Sequence, residues 1–439
     1  MRLNEQQERA LGMMVEFVED SEDRAFCLSG YAGTGKTTTI QRLIPKLEGY
    51  YVAFTAPTHK AVKVLRDMAT KAGLEVGCNT IHSLLGLRLS RQGDREVIKK
   101  TGKSQAHKFE LVVVDECSMV GDELFKHIMM SAEINRFKVI FMGDPAQLPP
   151  VGEGLSKTLE INGALLTEVM RQRGENPILG YCTDIRNQLA QSYIRLPSVS
   201  PFCSEDGGLG LHVMAGDYFT SYMPHAFSHD NFDDDPDRFR VVAWRNVTVN
   251  RYNRDIQAFR YPGLMEPFAD GEPVVVSSPV KRQAIPGDEK IVEDDVVINT
   301  ETEGRIVGVP ERFRHPSLNI DAWIVSVDFF CWEPCARIKL WALDAAGVRL
   351  HEELCRRLAA EAREKKGDWF SFWKAKDAFA SLRPAYAMTA HKSQGSTFEN
   401  VFVDVSDIWL NPNKDEALQC LYVAASRASH HLIMNASGF

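Results

Sequence analysis

The residues best suited to chemistry lie in one glycine-rich segment, FCLSGYAGTGKT, at positions 26–37. Its three glycines let the backbone turn tightly and bring its N–H groups close to an anion. Lys36 adds a positive charge for the β- and γ-phosphates of a nucleotide, and the Thr37 hydroxyl is suited to bind Mg²⁺. The following TTIQRLI predicts a helix whose N-terminus faces the same phosphates. The segment therefore predicts a nucleoside triphosphate site, with contacts from Gly30, Gly33, Thr34, Gly35, Lys36, Thr37 and Thr38.

A pair of acids follows the apolar run Leu111–Val114, which predicts a buried strand. Beside a nucleotide site, Asp115 is suited to hold Mg²⁺ through its water shell, and Glu116 to orient and deprotonate the attacking water. Gln147, in GDPAQLPPVG, follows the next apolar strand and is placed to contact the γ-phosphate. Together these residues predict hydrolysis of the bound nucleotide.

Strands ending at Leu28, Phe54, Val114 and Met142 are all followed by polar residues. This pattern predicts a doubly wound α/β domain with its chemistry at the carboxyl edge of a parallel sheet. Two of the strand-to-helix turns, in TAPTHKAV and TIHSLLGL, offer hydroxyl and backbone groups to a phosphodiester chain. An ordinary polar turn is the alternative for both segments. The residues concerned are Pro57, Thr58, His59, Thr80 and His82.

Composition limits the remaining possibilities. The chain has 439 residues, which predicts two or more domains, and its net charge of −8 requires nucleic acid to bind at local patches. Nine scattered cysteines argue for reduced thiols and a cytoplasmic location. No apolar run is long enough to span a membrane, and the first ten residues do not resemble a signal peptide.

Residues 87–108 predict a β-hairpin inserted between core elements, with its turn at 92–94. The insertion is rich in arginine and lysine, which predicts a local basic patch, although a merely solvated hairpin remains an alternative. Val97 and Ile98 are expected to cap the last base pair of a duplex, so that the hairpin separates strands.

Seven segments occur in the order of the superfamily 1 helicase motifs: GYAGTGKT, TAPTHKAV, DECSM, GDPAQLPPVG, TEVMRQ, TAHKSQGSTF and LYVAASRA. The chain resembles the RecD-like branch of that superfamily, and within it the Dda-like helicases of T-even phages. This resemblance implies that Gln7 recognises adenine and that Arg171 and Arg427 reach the γ-phosphate from the side of a second domain. It also implies that Gln394 and Gly395 contact phosphate, while Thr389, His391 and Lys392 contact nucleic acid.

The implied fold is α/β, with two RecA-like P-loop motor domains, an inserted β-hairpin, a small barrel of Src-homology-3 (SH3) type and a helical extension. Motor domain 1A is expected at 1–86 and 109–170, with the hairpin 1B at 87–108. Motor domain 2A is expected at 171–265 and 383–439, the barrel 2B at 266–345 and the helical tower at 346–382. Within the tower, the aromatic residues at 369–373 suggest either a base-stacking platform or, preferably, a hydrophobic clasp. The acidic segment 231–237 predicts a solvated loop.

The function implied by the resemblance is an ATP- and Mg²⁺-dependent DNA helicase that moves 5′→3′ on single-stranded DNA. Expected partners are single-stranded and forked duplex DNA and replication proteins such as a single-strand-binding protein. The enzyme is expected to be a monomer without membrane contact, in the host cytoplasm if it is a phage protein. The polarity rests on the resemblance alone.

Other functions remain open. They are a nucleotide-dependent binding switch, a single-strand translocase or remodeller, an accessory subunit of a nuclease or replication complex, and a helicase acting on RNA. The lack of an extra domain ahead of the first motor favours a stand-alone enzyme.

Overall fold

A computed structural model describes residues 3–92, 95–100, 102–169, 176–191, 193–228, 230–281, 283, 285, 296–330 and 336–435. The side chains of 89–92, 95–97, 230–231, 296–297 and 336 are not described. Arg171 and the Val97 side chain therefore lie outside the described residues. None of the helices in the described parts of the chain combines the length and the apolar character that a membrane crossing needs.

The first motor domain contains a six-stranded parallel sheet in the order β3-β2-β6-β7-β1-β8. Along β6, Leu111 and Val113 face one core and Val112 and Val114 face the other, because successive side chains of a strand alternate between the two faces of a sheet. Helices α1, α2 and α3 pack on the first face, and α4 and α5 on the second. The elements are α1 (Glu5–Glu19), β1 (Ala25–Gly30), α2 (Lys36–Leu43), β2 (Val52–Ala56), α3 (His59–Lys71), β3 (Gly77–Thr80), α4 (Ile81–Leu85), β4 (Leu87–Gln92), β5 (Arg95–Lys100), β6 (Leu111–Val114), α5 (Asp122–Asn135), β7 (Lys138–Gly143) and β8 (Gly163–Leu166).

Strands β4 and β5 form a separate antiparallel pair between α4 and β6, in which Leu89 is paired with Ile98 and Gln92 with Arg95. The Ile98 side chain is half-buried and packs against the core of the first motor domain. Ile98 belongs to the third of the six residue pairs that run from the base of the hairpin to its turn, and its contact with a base pair stays a prediction.

The second motor domain begins with α6 (Pro177–Leu189), β9 (Phe202–Cys203), β10 (Gly210–Met214), α7 (Gly216–Phe227), α8 (Asp230–Asp234), β11 (Phe239–Ala243) and α9 (Asn246–Arg260). The acidic segment expected to be a solvated loop is instead partly the helix α8, because Phe232 is buried in the core of this domain. Asp237, at the end of the same segment, forms ion pairs with Lys60 and Arg240.

An antiparallel sheet is inserted next, in the order β16-β17-β15-β12-β19, with β18 also paired to β17. Strand β19 follows two helices in the chain and yet pairs with β12, so the inserted sheet extends to Pro384 and not only to residue 345. The elements are β12 (Pro273–Val276), β13 (Val280–Lys281), β14 (Val296–Ile298), β15 (Glu303–Ile306), β16 (Glu311–Arg314), β17 (Asp321–Phe329), β18 (Ala336–Ala342), α10 (Ala345–Arg363), α11 (Trp369–Lys376) and β19 (Leu382–Pro384).

Helices α10 and α11 pack against each other through Phe372 and Trp373, which are buried with Ala359. The hydrophobic clasp is therefore confirmed for these two aromatic residues. Phe370 lies outside the clasp and is 74% exposed.

The chain then completes the second motor domain, whose sheet has the order β20-β11-β21-β22-β10-β9. All neighbouring strands are parallel except β9, which is antiparallel to β10. The last elements are β20 (Ala387–Thr389), α12 (Ala390–Ser393), β21 (Phe398–Val403), α13 (Val405–Trp409), α14 (Lys414–Ser426) and β22 (Ala428–Asn435).

Candidate nucleotide and nucleic-acid sites

The glycine-rich loop joins β1 to α2, as the spacing predicts. Gly33 and Gly35 have φ angles of +78° and +81°, a left-handed conformation that residues with a Cβ atom rarely adopt. The Lys36 ammonium lies inside the loop, where it donates hydrogen bonds to the carbonyl oxygens of Gly30 (2.6 Å) and Tyr31 (3.2 Å). The loop therefore places one positive charge and a series of backbone N–H groups around a space that is suited to bind phosphate groups.

Asp115 and Glu116 follow β6 at the same sheet edge. Burial, followed by the neighbouring Glu116 carboxylate, raises the pKa of Asp115, while Lys36 and Arg427 act in the opposite direction. Glu116 has a φ of +52°, which is uncommon outside glycine and is found at functional sites. The Thr37 hydroxyl and the Asp115 carboxylate are oxygen donors of the kind that Mg²⁺ prefers, so they fit this ion.

Gln7 lies against the glycine-rich loop, where the resemblance places an adenine-reading residue. Its side chain is 1% exposed, and its Nε2 donates to the Thr34 carbonyl at 3.0 Å. Its Oε1 accepts a hydrogen bond from the Asn4 N–H at 3.1 Å, within the N-terminal cap of α1. The amide therefore ties the loop to the start of α1, and a contact with adenine would have to replace one of these bonds.

The second motor domain contributes residues to the same cleft. The Gln394 Nε2 donates to the Leu148 carbonyl at 3.2 Å and lies 3.5 Å from the Gln147 Oε1. A Cβ atom at Gly395 would lie 3.1 Å from Ala61 and 3.5 Å from the Cγ of Glu116. The backbone of the turn after α12 thus lies near both the predicted catalytic acid and the first helix of the predicted nucleic-acid surface.

Arg427, at the end of α14, is 7% exposed and lies close enough to Asp115 to lower its pKa. Its guanidinium donates to the carbonyls of Val423 and Ser396 at 3.1 and 3.0 Å and to the Ser426 hydroxyl at 2.9 Å. These bonds hold the arginine at the cleft, and its contact with the γ-phosphate stays a prediction.

Tyr422 is a residue of the cleft that the sequence does not single out. Its hydroxyl accepts a hydrogen bond from the Ala32 N–H at 3.0 Å and donates one to the Asp144 Oδ2 at 2.6 Å. Burial, and then the Asp144 carboxylate, raise the pKa of Tyr422, so the hydroxyl keeps its proton. Because Ala32 belongs to the glycine-rich loop, this side chain ties α14 to the nucleotide site. The only signal in the sequence is its place in LYVAASRA.

Arg186, on α6, is a second such residue. Its guanidinium carbon lies 4.0 Å from the centre of the Tyr31 ring, which belongs to the glycine-rich loop. Its Nη2 donates to the Thr183 hydroxyl, whereas its Nε and Nη1 are buried and have no hydrogen-bond partner among the residues that the structure describes. A lone arginine in a helix carries no sequence signal for such a position.

Sheet order separates the two predicted sites within the first motor domain. The turns after β3 and β2 carry the predicted nucleic-acid residues, and the turns after β6, β7 and β1 carry the predicted nucleotide residues.

Three threonines of the predicted nucleic-acid surface are also helix N-caps, whose hydroxyls accept hydrogen bonds from backbone N–H groups at the start of the next helix. They are Thr58 at α3, Thr80 at α4 and Thr389 at α12.

The three histidines of this surface are favoured in the neutral form. Burial is the first cause that lowers the pKa of His59, His82 and His391. A neutral imidazole offers one hydrogen-bond donor and one acceptor. Pro57 is half-buried beside them, and Lys392 lies 2.6 Å from Glu301.

Two family models match the chain. One, described as an AAA domain, matches residues 2–192, and the other, described as a UvrD-like helicase C-terminal domain, matches residues 384–434. The two matched ranges contain the residues of the cleft described above.

Two curated relatives match nearly the full length. The ATP-dependent DNA helicase dda of Enterobacteria phage T4 is 26% identical over 98% of this chain and 98% of its own length. An uncharacterized protein of Acanthamoeba polyphaga mimivirus is 27% identical over 98% of this chain and 99% of its own. Among solved structures, the fold is similar to that of the Pif1 helicase from Bacteroides in complex with ADP-AlF3 and ssDNA. That match has a TM-score of 0.52 and 18% identity, and it covers 100% of this chain and 93% of the other.

Proposed function

Because the chain belongs to the Pif1/RecD-like family of superfamily 1 helicases, we propose that it is an ATP-dependent DNA helicase that moves 5′→3′ on single-stranded DNA and unwinds duplexes. One observation carries the proposal. A Cβ atom at Gly395 in the second motor domain would lie 3.5 Å from the Glu116 Cγ and 3.7 Å from the Thr58 Oγ1, so the backbone of this turn lies near both the nucleotide site and the predicted nucleic-acid surface. Events at the nucleotide can therefore be passed to the bound strand.

In this proposal the glycine-rich loop binds the ATP phosphates with Lys36, and Glu116 orients and deprotonates the attacking water. Mg²⁺, held by Thr37 and Asp115, would neutralise charge on the β- and γ-phosphates. Arg171, Arg427 and Arg186 are assigned to the charge that develops on the transferred group, since an arginine fork stays charged and binds phosphate oxygens. Gln147 and Gln394 are assigned to sensing the γ-phosphate, with Gln7 reading adenine.

Stepping would follow from opening and closing of the cleft. Pro57, Thr58, His59, Thr80 and His82 lie on one motor domain, and Thr389, His391 and Lys392 on the other. If both groups hold the same DNA strand, closure on ATP shifts one set relative to the other, and hydrolysis reverses the shift. The inserted hairpin 1B, at 87–108, would separate the strands, and the inserted antiparallel sheet would serve as the SH3-like barrel 2B.

The proposal is tested by ATPase activity with single-stranded DNA and single-stranded RNA of equal length and sequence. We expect DNA to stimulate turnover by at least about tenfold, a difference of about 1.4 kcal/mol in barrier. Stimulation by RNA alone would favour an RNA helicase, and turnover that neither polymer changes would favour a nucleotide-dependent binding switch. A strand-displacement assay on forked DNA distinguishes a helicase from a translocase that does not unwind.

A further inference from the structure

One short turn of the inserted sheet contacts two residues of the predicted nucleic-acid surface and a lysine beside one of them. This turn, residues 299–303 with the sequence NTETE, connects β14 to β15 and is called the 299–303 turn below. The Asn299 amide lies 2.8 Å from the His59 Nε2. A carboxylate oxygen of Glu301 lies 2.6 Å from the Lys392 Nζ, which belongs to the opposite motor domain.

The third contact of the turn joins Glu303 to Lys60, at 3.2 Å. Lys60 follows His59 directly at the start of α3, so the turn reaches both motor domains at the surface assigned to the strand. A carboxylate offers a lysine two negatively charged oxygens, as a DNA phosphate does. The 299–303 turn thus pairs its two acids with lysines whose charge is of the kind that binds phosphates.

The turn is ordered by its own hydrogen bonds. The Glu301 N–H donates to the Val276 carbonyl at 2.8 Å, and the Val276 N–H donates to the Thr302 carbonyl at 3.0 Å. The Thr302 hydroxyl donates to the Asn299 carbonyl at 2.8 Å. Glu301 itself has a φ of +59°, a left-handed conformation that costs free energy for a residue with a Cβ atom. The surrounding bonds therefore hold Glu301 in an unfavourable conformation that presents its carboxylate to the lysine.

The two acids of the turn differ in how firmly they are held. Glu303 also pairs with Arg240, whose side chain is 1% exposed, in a partly buried cluster with Lys60 and Asp237, whereas Glu301 also pairs with Arg383, whose side chain is 14% exposed. Glu301 and Lys392 are more accessible, with side chains 24% and 29% exposed. Glu301 is therefore the contact that DNA can replace, and Glu303 is the anchor.

We propose that the 299–303 turn is a built-in competitor of DNA phosphates that sets the affinity of the nucleic-acid site. The proposal rests on the function proposed above. A strand can bind Lys392 only when Glu301 has left it. The observed affinity is therefore the intrinsic affinity multiplied by the fraction of molecules in which the turn is released.

The test compares Glu301→Gln with Glu311→Gln in binding to a short oligothymidylate at fixed ionic strength. Glu311 is an exposed acid on β16 of the same sheet, so both variants change the net charge equally. Glu301→Gln keeps the shape of the side chain while weakening its hold on Lys392. We expect it to bind the strand about five- to tenfold more tightly than the unchanged protein, and Glu311→Gln to stay within about twofold. Equal affinity of all three proteins, or weaker binding by Glu301→Gln, would overturn the proposal.

Hydrogen exchange of the backbone at 299–303 gives a second readout that does not depend on a variant. Displacement of the turn predicts faster exchange of the Glu301 N–H when the oligothymidylate binds, since its bond to Val276 opens. Slower exchange would mean that the turn stays in place beneath the strand, and would also overturn the proposal. Failure of the proposed function looks different, because the unchanged protein would then show neither binding of the strand nor stimulation of its ATPase.

Discussion

At the scale of single residues, the cleft is held by polar side chains that connect parts of the chain far apart in sequence. Tyr422 and Ala32 are 390 residues apart and share a hydrogen bond, and Gln394 reaches the Leu148 carbonyl across 246 residues. Because these bonds cross between the two motor domains, single substitutions are expected to change the coupling of the domains as well as the chemistry.

Lys36→Ala is expected to abolish ATPase activity, because the loop then lacks the charge that faces the β- and γ-phosphates. The fold and much of the binding to single-stranded DNA should remain. The measurement is steady-state ATP hydrolysis with and without DNA, with Lys46→Ala as the control, since Lys46 is an exposed lysine close by in the chain. Turnover near normal in Lys36→Ala would contradict the assignment of the nucleotide site.

Arg427→Ala is expected to bind ATP and hydrolyse it about 10³-fold more slowly if the guanidinium stabilises the transferred phosphoryl group. Arg427→Lys should recover only part of the loss, since a lysine lacks the planar fork. Single-turnover hydrolysis measures the effect, and the exposed Arg254 provides a matched substitution to alanine. If hydrolysis survives and only the melting temperature falls, Arg427 acts through its bonds to Val423 and Ser396 alone.

Tyr422→Phe removes one hydroxyl from the cleft and leaves the Asp144 carboxylate and the Ala32 N–H without this partner. We expect a loss of about 1–3 kcal/mol in the free energy of unfolding. We also expect a fall of about tenfold in DNA-stimulated kcat with little change in the KM for ATP, a barrier change of about 1.4 kcal/mol. Tyr218→Phe, at a tyrosine that is 57% exposed, is the control. An unchanged kcat would show that the hydroxyl only stabilises the domain contact.

At the scale of elements, parallel strands bring the polar turns to one edge, and antiparallel insertions reach over that edge. The hairpin β4–β5 leaves the first motor domain between α4 and β6 and is anchored by Ile98 against the core. Pulling a strand through a motor separates a duplex only where the second strand meets an obstacle, and breaking each base-pair step costs about 1.4 kcal/mol. A hairpin fixed at its base can act as this obstacle.

Replacing residues 90–97 with Asn-Gly tests the hairpin as a strand separator. Leu89 and Ile98 are directly paired in the ladder, so a two-residue turn can join them without disturbing the base. We expect DNA-stimulated ATPase and translocation to persist while unwinding of forked DNA collapses. Unwinding that stays coupled to ATPase as before would contradict the prediction. A parallel loss of all three activities with DNA affinity would show that the hairpin only adds basic contacts.

At the scale of the whole molecule, a parallel sheet and a mainly parallel sheet face a shared cleft, and an antiparallel sheet with two helices is inserted into the second motor domain. The inserted sheet touches both motor domains through the 299–303 turn. In the proposed stepping cycle, movement of one motor domain relative to the other would have to be compatible with this third contact.

The direction of movement is a property of the whole molecule, and we expect 5′→3′. This expectation rests on the resemblance to the RecD-like branch, because neither charge nor spacing distinguishes the two ends of a strand. Strand displacement on duplexes with a 5′ tail or a 3′ tail measures it, with a blunt duplex as the control. Unwinding from the 3′ tail alone would contradict it.

The sequence by itself determined the features that depend on short contiguous segments. The glycine-rich loop, the acids after β6 and the strands at Val52–Ala56 and Lys138–Gly143 could be predicted because turn chemistry and burial are local. The clasp between α10 and α11 also follows from helical spacing.

Only the tertiary structure decided which distant residues meet. It placed Tyr422 and Arg186 at the glycine-rich loop, and Asn299 and Glu301 at the predicted nucleic-acid surface. It also showed that Ile98 packs against the core. A local pattern shows that a side chain is polar or apolar, but its partner depends on how insertions of a hundred residues fold back onto the motor domains.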